Sequence, residues 1–315
     1  MRLKTGLKLL AAPLLLAAVA WVVEPGRLLR AMARLDPAWV LAGFACSLVA
    51  NLCSAYRWQR LAAWLGLTLP VPVALRTYFQ GVTANALLPG ATMGGDVLRA
   101  TQLVRLGNPV LESGLSVALD RFSGLWVLCA LSGLAATLQL LGPGLPPYWH
   151  GPALDARPLG LLTAASTVLL LLLPAAGYWG GRHGLLPRLP EKLRNQAARL
   201  LGRPAAGAQY GLQLGLSGLV QGLSIASLIC AGRAAGLDFP LWVFAVAAAP
   251  IFVMAALPVS FGGWGTRETA AALCLGAFGA ASDSAVATSV LYGLYGACQA
   301  LIGALLLSLP QSKEN

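Results

Sequence analysis

Runs without a single charged residue, among them 9–23, 37–56, 122–149, 158–181, 204–232 and 284–312, alternate with short arginine-bearing segments. A helix needs about 20 apolar residues to cross a bilayer. The pattern therefore predicts full spans near 7–23, 38–56, 114–141, 158–180, 207–231 and 285–309. The first is short, but the lysines before it can snorkel to the headgroups. Met1-Arg2-Leu3-Lys4, an apolar stretch and then Ala18-Val19-Ala20 also have the outline of a signal peptide with its cleavage site. The expectation is a retained first span.

Two stretches, around 66–106 and 236–280, are left over, and they match each other. The first reads Gly66-Leu67-Thr68-Leu69-Pro70, runs apolar to Leu88-Pro89, then gives Gly94-Gly95-Asp96-Val97-Leu98-Arg99. The second reads Gly236-Leu237-Asp238-Phe239-Pro240, runs to Leu257-Pro258, then gives Gly262-Gly263-Trp264-Gly265-Thr266-Arg267. Three predicted spans lie between them, and an odd number makes the two copies enter from opposite faces, an inverted-topology repeat of the kind found in transporters. Proline removes a backbone donor and paired glycines permit conformations that a helix forbids. Exposed backbone at membrane depth is tolerated only inside protein or along a wet cavity. Each copy is therefore expected to be a re-entrant helical hairpin broken at Pro89, Gly94 and Gly95 or at Pro258, Gly262 and Gly263. The alternative is a pair of ordinary spans kinked by proline. The fold expected is an all-α polytopic membrane protein. It has about six full spans plus two re-entrant hairpins in one integral domain over 1–315, with repeat copies at roughly 38–141 and 207–309.

Composition fits that picture. The chain is 57% hydrophobic and only 10% charged, against about 25% charged in soluble domains, which excludes a soluble enzyme or a disordered chain. The net charge of +11 does not point to nucleic acid, because the basic residues sit in short loops with no folded basic domain to hold them. They report orientation instead. With the N-terminus cytoplasmic, 15 lysines and arginines fall inside and 6 outside, the positive-inside bias. On that reading 181–205 is the one sizeable cytoplasmic loop, and a re-entrant 267–280 returns the C-terminus to the cytoplasm. The six cysteines lie in apolar stretches without metal or disulfide spacing, and the only histidines, His150 and His183, lie in loops. No metal and no cofactor are expected.

Ionisable residues inside a span are costly and mark function by default. Asp120 and Arg121 lie within the third predicted span. Arg121 can meet Asp96 and Asp120 can meet Arg99 across a cavity mouth, while Arg267 and Glu268 directly follow the glycines of the second copy. Arg57, beside Tyr56 and Trp58, suits a headgroup ligand and an interfacial anchor equally, as does Arg60. Arginine presents a fork of donors suited to phosphate oxygens. Arg57, Asn85, Asp96, Arg99, Asp120, Arg121, Arg267 and Glu268 are thus the candidate headgroup-binding residues. Structural ion pairing would use the same residues.

At these positions the chain resembles the transmembrane region of lysylphosphatidylglycerol synthase, the flippase-like domain family of bacteria and archaea. The matching pieces are Tyr56-Arg57-Trp58; Asn85 with Leu88-Pro89-Gly90 and Gly94-Gly95-Asp96-Val97-Leu98-Arg99; Asp120-Arg121 with Gly124; and Leu257-Pro258-Val259-Ser260 with Gly262-Gly263-Trp264-Gly265-Thr266-Arg267-Glu268. The resemblance covers nearly the whole chain. It implies a prokaryotic inner-membrane protein that translocates, or helps translocate, a polar lipid, with members serving aminoacylated phosphatidylglycerol, hopanoid or glycan-lipid pathways. The soluble aminoacyl-transferase domain of full-length synthases has no counterpart before Asn315, so lipid aminoacylation is not implied. The function expected is non-enzymatic flipping of a polar, phosphate-bearing lipid, with membrane lipids as partners. The alternatives are a membrane-embedded lipid-modifying enzyme, with Asp96 or Glu268 as acid or base, or a scaffold for a separately encoded one.

Overall fold

The computed structural model describes residues 33, 35–87, 93–152, 155–182, 202–257 and 263–308. The predicted span at 7–23, most of the 181–205 loop, and Pro89, Pro258 and Gly262 lie outside the described residues. Among those described, all regular structure is helical, in nine helices. Five are long: α1 (Pro37–Trp64), α4 (Val110–Leu141), α5 (Ala156–Arg182), α6 (Ala206–Ala234) and α9 (Ser282–Ser308). At 27 to 32 residues each, they run about 40–48 Å. All five contain stretches long and apolar enough to cross a membrane, and they correspond to the five predicted spans inside the described residues. Four are shorter: α2 (Val71–Leu87), α3 (Met93–Arg105), α7 (Leu241–Ala256) and α8 (Thr266–Gly276). At 11 to 17 residues, they reach about 16–26 Å, short of the ~30 Å hydrocarbon core. They occupy the two proline- and glycine-broken stretches, and α2 packs on α3 as α7 packs on α8.

The matched sequence GLx[LF]P has a local physical cause. After α1 the Gly66 amide donates to the Ala63 carbonyl and the Leu67 amide to that of Ala62. After α6 the Gly236 amide donates to Arg233 and the Leu237 amide to Gly232. These are the paired bonds of a Schellman C-cap, which needs a left-handed residue just past the helix. Gly66 (φ 75°) and Gly236 (φ 80°) supply it. Leu67 and Leu237 are buried as the turn closes, and a proline then starts the next helix. Gly107 and Gly279 repeat the device after α3 and α8.

Helix packing follows the same correspondence. If α1, α2, α3 and α4 are matched with α6, α7, α8 and α9, the α2–α9 contact has its counterpart in α4–α7, α3–α4 in α8–α9, and α1–α4 in α6–α9, while α1 and α6 pack on each other. Only α5, laid against α4, has no partner among the described helices. Hydrogen bonds tie the ends together. Asn108 bonds to the Thr68 backbone in both directions, Arg203 donates to the Trp64 carbonyl, and Arg76 to that of Leu306. At other ends, the Asp36 amide meets the Ala234 carbonyl and the His150 amide that of Ala277.

One apolar cluster joins α6, α7 and α8 through Leu228, Phe244, Ile251 and Leu275, and a second joins α1, α3 and α4 through Trp58, Leu61, Leu103 and Val117. The outside is apolar too. On α5, Leu161, Leu162, Leu169, Leu172 and Leu173 are exposed. An apolar core wrapped in an apolar surface is what lipid, unlike water, stabilises. The chain is a multi-pass membrane protein.

Candidate functional site

The ionisable residues gather into two groups, one on each hairpin. In the first, Asp120 of α4 is fully buried. Its Oδ1 accepts from Arg57 Nε of α1 at 2.9 Å, and its Oδ2 from Arg99 Nη2 of α3 at 2.7 Å. Arg57 also donates to Ser217 Oγ of α6 at 3.0 Å and to the Asp120 carbonyl. The Arg99 guanidinium lies 4.3 Å from the Trp58 ring and 4.9 Å from that of Tyr78. Burying a charge is tolerable only when it is paired and hydrogen-bonded, and this carboxylate between two arginines meets the condition. The pairing of Asp120 with Arg99 expected from sequence is present. Arg57, read equally as headgroup ligand or interfacial anchor, is bonded here to Asp120 and Ser217. It points inward while Tyr56 and Arg60 face outward.

Asp96, in the first turn of α3, pairs with Arg121 of α4, whose Nε donates to both carboxylate oxygens at 2.9 and 3.1 Å. This pair is partly open, at 26% and 40% side-chain exposure. A few residues away the two arms of the hairpin touch. The Gly95 amide donates to Asn85 Oδ1 of α2 at 2.6 Å, and a Cβ at Gly95 would strike the Gly81 carbonyl. Gly94 and Gly95, read as part of a helix break, instead lie inside α3, which begins at Met93. Small residues there let α3 lie flush on α2.

The second group is on α8. The Glu268 carboxylate accepts from the Gly265 amide at 2.6 Å, capping its own helix. Its other oxygen takes Arg267 Nη2 at 2.9 Å and Ser289 Oγ of α9 at 3.1 Å. The Arg267 guanidinium lies 4.8 Å from the Trp264 ring and fills space that any side chain at Gly293 would need. Gly263, at φ 82°, precedes it in a turn rather than a helix. The match of GGxxxR equates Arg99 with Arg267. Counting back from the C-terminal glycines corrects this, for Asp96 and Glu268 both stand 11 residues before Gly107 and Gly279. The acidic residues correspond and the arginines do not, because Gly94 and Gly95 lie inside α3 whereas Gly263 stands in the turn before α8. The positions equivalent to Arg57, Arg99 and Asp120 hold Ser227, Ala271 and Tyr292. The buried charge triad therefore belongs to one half alone.

Between the groups lies a polar cavity of about 210 Å³. Asn85 reaches it from the first hairpin and Arg267 with Trp264 from the second, while Asn51, Ser224 and Tyr292 line it from α1, α6 and α9. Asn51 is anchored by its Nδ2, which donates to Gln299, itself a donor to Ser47. Two larger cavities, about 410 and 370 Å³, open beside α5 and are lined mainly by apolar side chains such as Phe122, Trp126, Leu159 and Trp242. Of the sequence candidates, Asn85 and Arg267 line the polar cavity, Glu268 holds Arg267, Asp96 and Arg121 form the half-open pair, and Arg57, Arg99 and Asp120 are enclosed. Sequence reasoning missed Asn51, Trp264, Tyr292 and Ser289. Nothing separates such residues in an apolar run from ordinary packing or interfacial ones until the helices are assembled.

A family model described as the lysylphosphatidylglycerol synthase TM region matches residues 7–303. No curated protein matches the chain.

Proposed function

From a chain that belongs to the lysylphosphatidylglycerol synthase TM region family, we propose a translocase that carries a polar, phosphate-bearing lipid across the cytoplasmic membrane of a prokaryote and is not itself an enzyme. The observation that carries this reading is the cavity of about 210 Å³ at which Asn85 of one hairpin faces Arg267 and Trp264 of the other. A partly open polar cavity inside an apolar protein suits a headgroup whose acyl chains stay in lipid. Arg267 keeps Nη1 without a partner among the described residues, a donor available to a phosphate oxygen. Asp96 and Arg121, half-open, are placed to meet a headgroup before it reaches the cavity. Arg57, Arg99 and Asp120 hold α1, α3 and α4 together behind it.

Movement through such a site needs alternate opening to the two leaflets, and the helix arrangement supports that. The turns that begin and end the first hairpin are bonded to each other through Thr68 and Asn108. The second hairpin begins and ends beside the 148–150 loop, where Tyr148 stacks on Phe239 and the His150 amide meets Ala277. With three long helices between them, the hairpins enter as re-entrant elements from opposite faces, related as an inverted repeat. The excess of basic residues on one side supports a cytoplasmic N-terminus.

The test is reconstitution in vesicles holding a trace of fluorescent phospholipid, read by quenching the outer leaflet alone. Wild-type protein is expected to bring inner-leaflet label to the quencher, and Arg267→Ala to slow this about tenfold, roughly 1.4 kcal/mol in barrier. Equal rates in wild-type, Arg267→Ala and protein-free vesicles would remove the proposal.

A further inference from the structure

The polar groups around the cavity also specify which end of a headgroup fits. We infer that it selects a lipid headgroup ending in neutral, adjacent hydroxyls, a glycerol or a single sugar, over one ending in an ammonium; this rests on the translocation reading above. Asn85 Oδ1 is taken by the Gly95 amide, leaving its Nδ2 donor without a partner among the described residues. Asn51 is the complement, its Nδ2 committed to Gln299 and its Oδ1 without a partner among the described residues. One open donor and one open acceptor on opposite helices match a hydroxyl pair, because each hydroxyl both donates and accepts. Arg267 Nη1 adds a further donor.

An ammonium needs the reverse. It carries three donors and no acceptor, and enclosing it without a carboxylate is costly. Glu268, next to the cavity-lining Arg267, spends its charge on that guanidinium, bonds Ser289 and the Gly265 amide as well, and does not line the cavity. Asp96 and Asp120 are held by arginines and do not line the cavity. Among the described residues, the one charged side chain lining the space is Arg267, whose guanidinium repels a cation. Trp264 and Tyr292 give it aromatic walls, against which the carbon face of a polyol packs.

Two readouts test this. The purified full chain, taken from nanodiscs with equal phosphatidylglycerol, phosphatidylglucose and phosphatidylethanolamine in a phosphatidylcholine background, is weighed by native mass spectrometry for retained lipid. The first two are expected to be retained about tenfold over phosphatidylethanolamine, the worth of one or two buried hydrogen bonds. The split between them tells glycerol from sugar. Asn85→Asp keeps the acceptor for the Gly95 amide and turns the open donor into a carboxylate oxygen, so it is expected to shift retention toward phosphatidylethanolamine. In proteoliposomes, periodate reports diol headgroups in the outer leaflet and trinitrobenzene sulfonate reports amines. Diol lipids are expected to become fully reactive while the amine lipid stays near half. Equal or preferred retention of phosphatidylethanolamine by the wild-type protein would overturn the inference and leave translocation standing. Diol-selective retention without movement of any lipid would overturn translocation and leave the inference standing.

Discussion

Arg57 shows how a single residue can mislead a reading of hydrophobicity. The charge-free run ends at Tyr56, which predicts a second span that stops there with Arg57 at its inner end. In the folded chain α1 continues to Trp64, because Asp120 neutralises that charge 63 positions along the sequence. The pairs Arg121–Asp96 and Arg99–Asp120 were legible, being ionisable residues close in sequence near one break. The third member was not, since a Tyr-Arg-Trp triplet looks the same whether it faces lipid headgroups or a buried acid. The two arrangements have different energies. Removing one partner of a buried pair costs about 3–5 kcal/mol, whereas a half-exposed pair is worth under about 1 kcal/mol. Arg57→Ala is therefore expected to lower the thermal midpoint in detergent sharply and Arg121→Ala only slightly; equal shifts would contradict the enclosure of Asp120. Gly293 gives a second prediction at this scale. A valine there would displace the Arg267 guanidinium, so Gly293→Val is expected to slow lipid movement about as much as Arg267→Ala, measured in the same vesicles.

At the scale of elements, the four short helices fall in the two stretches that the sequence leaves over, because their boundaries are set by local chemistry. The C-cap glycines Gly66 and Gly236 and the prolines after them are chain punctuation, visible without tertiary knowledge. The correspondence inside the hairpins was less visible. GGxxxR matched Arg99 to Arg267, whereas the C-terminal turns after α3 and α8 match Asp96 to Glu268. A motif aligns letters; a turn fixes register. Forcing a left-handed residue other than glycine costs about 1–2 kcal/mol. Gly66→Ala and Gly236→Ala are thus expected to lower the thermal midpoint by similar amounts, and a loss from only one would show that the two turns do not carry equivalent parts of the fold.

Across the whole molecule the charge scarcity that marks a membrane protein also separates two uses of charge. The triad of Arg57, Arg99 and Asp120 exists in one half and has no counterpart in the other. The first half is consequently pinned by ion pairs across three helices, while on α8 the charged contacts run through Glu268 and Arg267 to Ser289 of α9. On the proposed inverted arrangement Thr68 and Asp238, equivalent and both exposed, face opposite sides. In a background with the six cysteines replaced, a membrane-impermeant maleimide is expected to label Thr68→Cys only from the cytoplasmic side and Asp238→Cys only from the outside. Labelling of both from one side would end the inverted reading. If lipid passes through the cavity between the hairpins, a plug in that cavity stops it. In the same cysteine-free background, Ala86→Cys, on the cavity wall, is modified with a bulky methanethiosulfonate and lipid movement is timed in vesicles before labelling, after it, and after reduction. The account predicts a fall to the protein-free rate and full recovery once the plug is released; an unchanged rate with labelling complete by mass would contradict it.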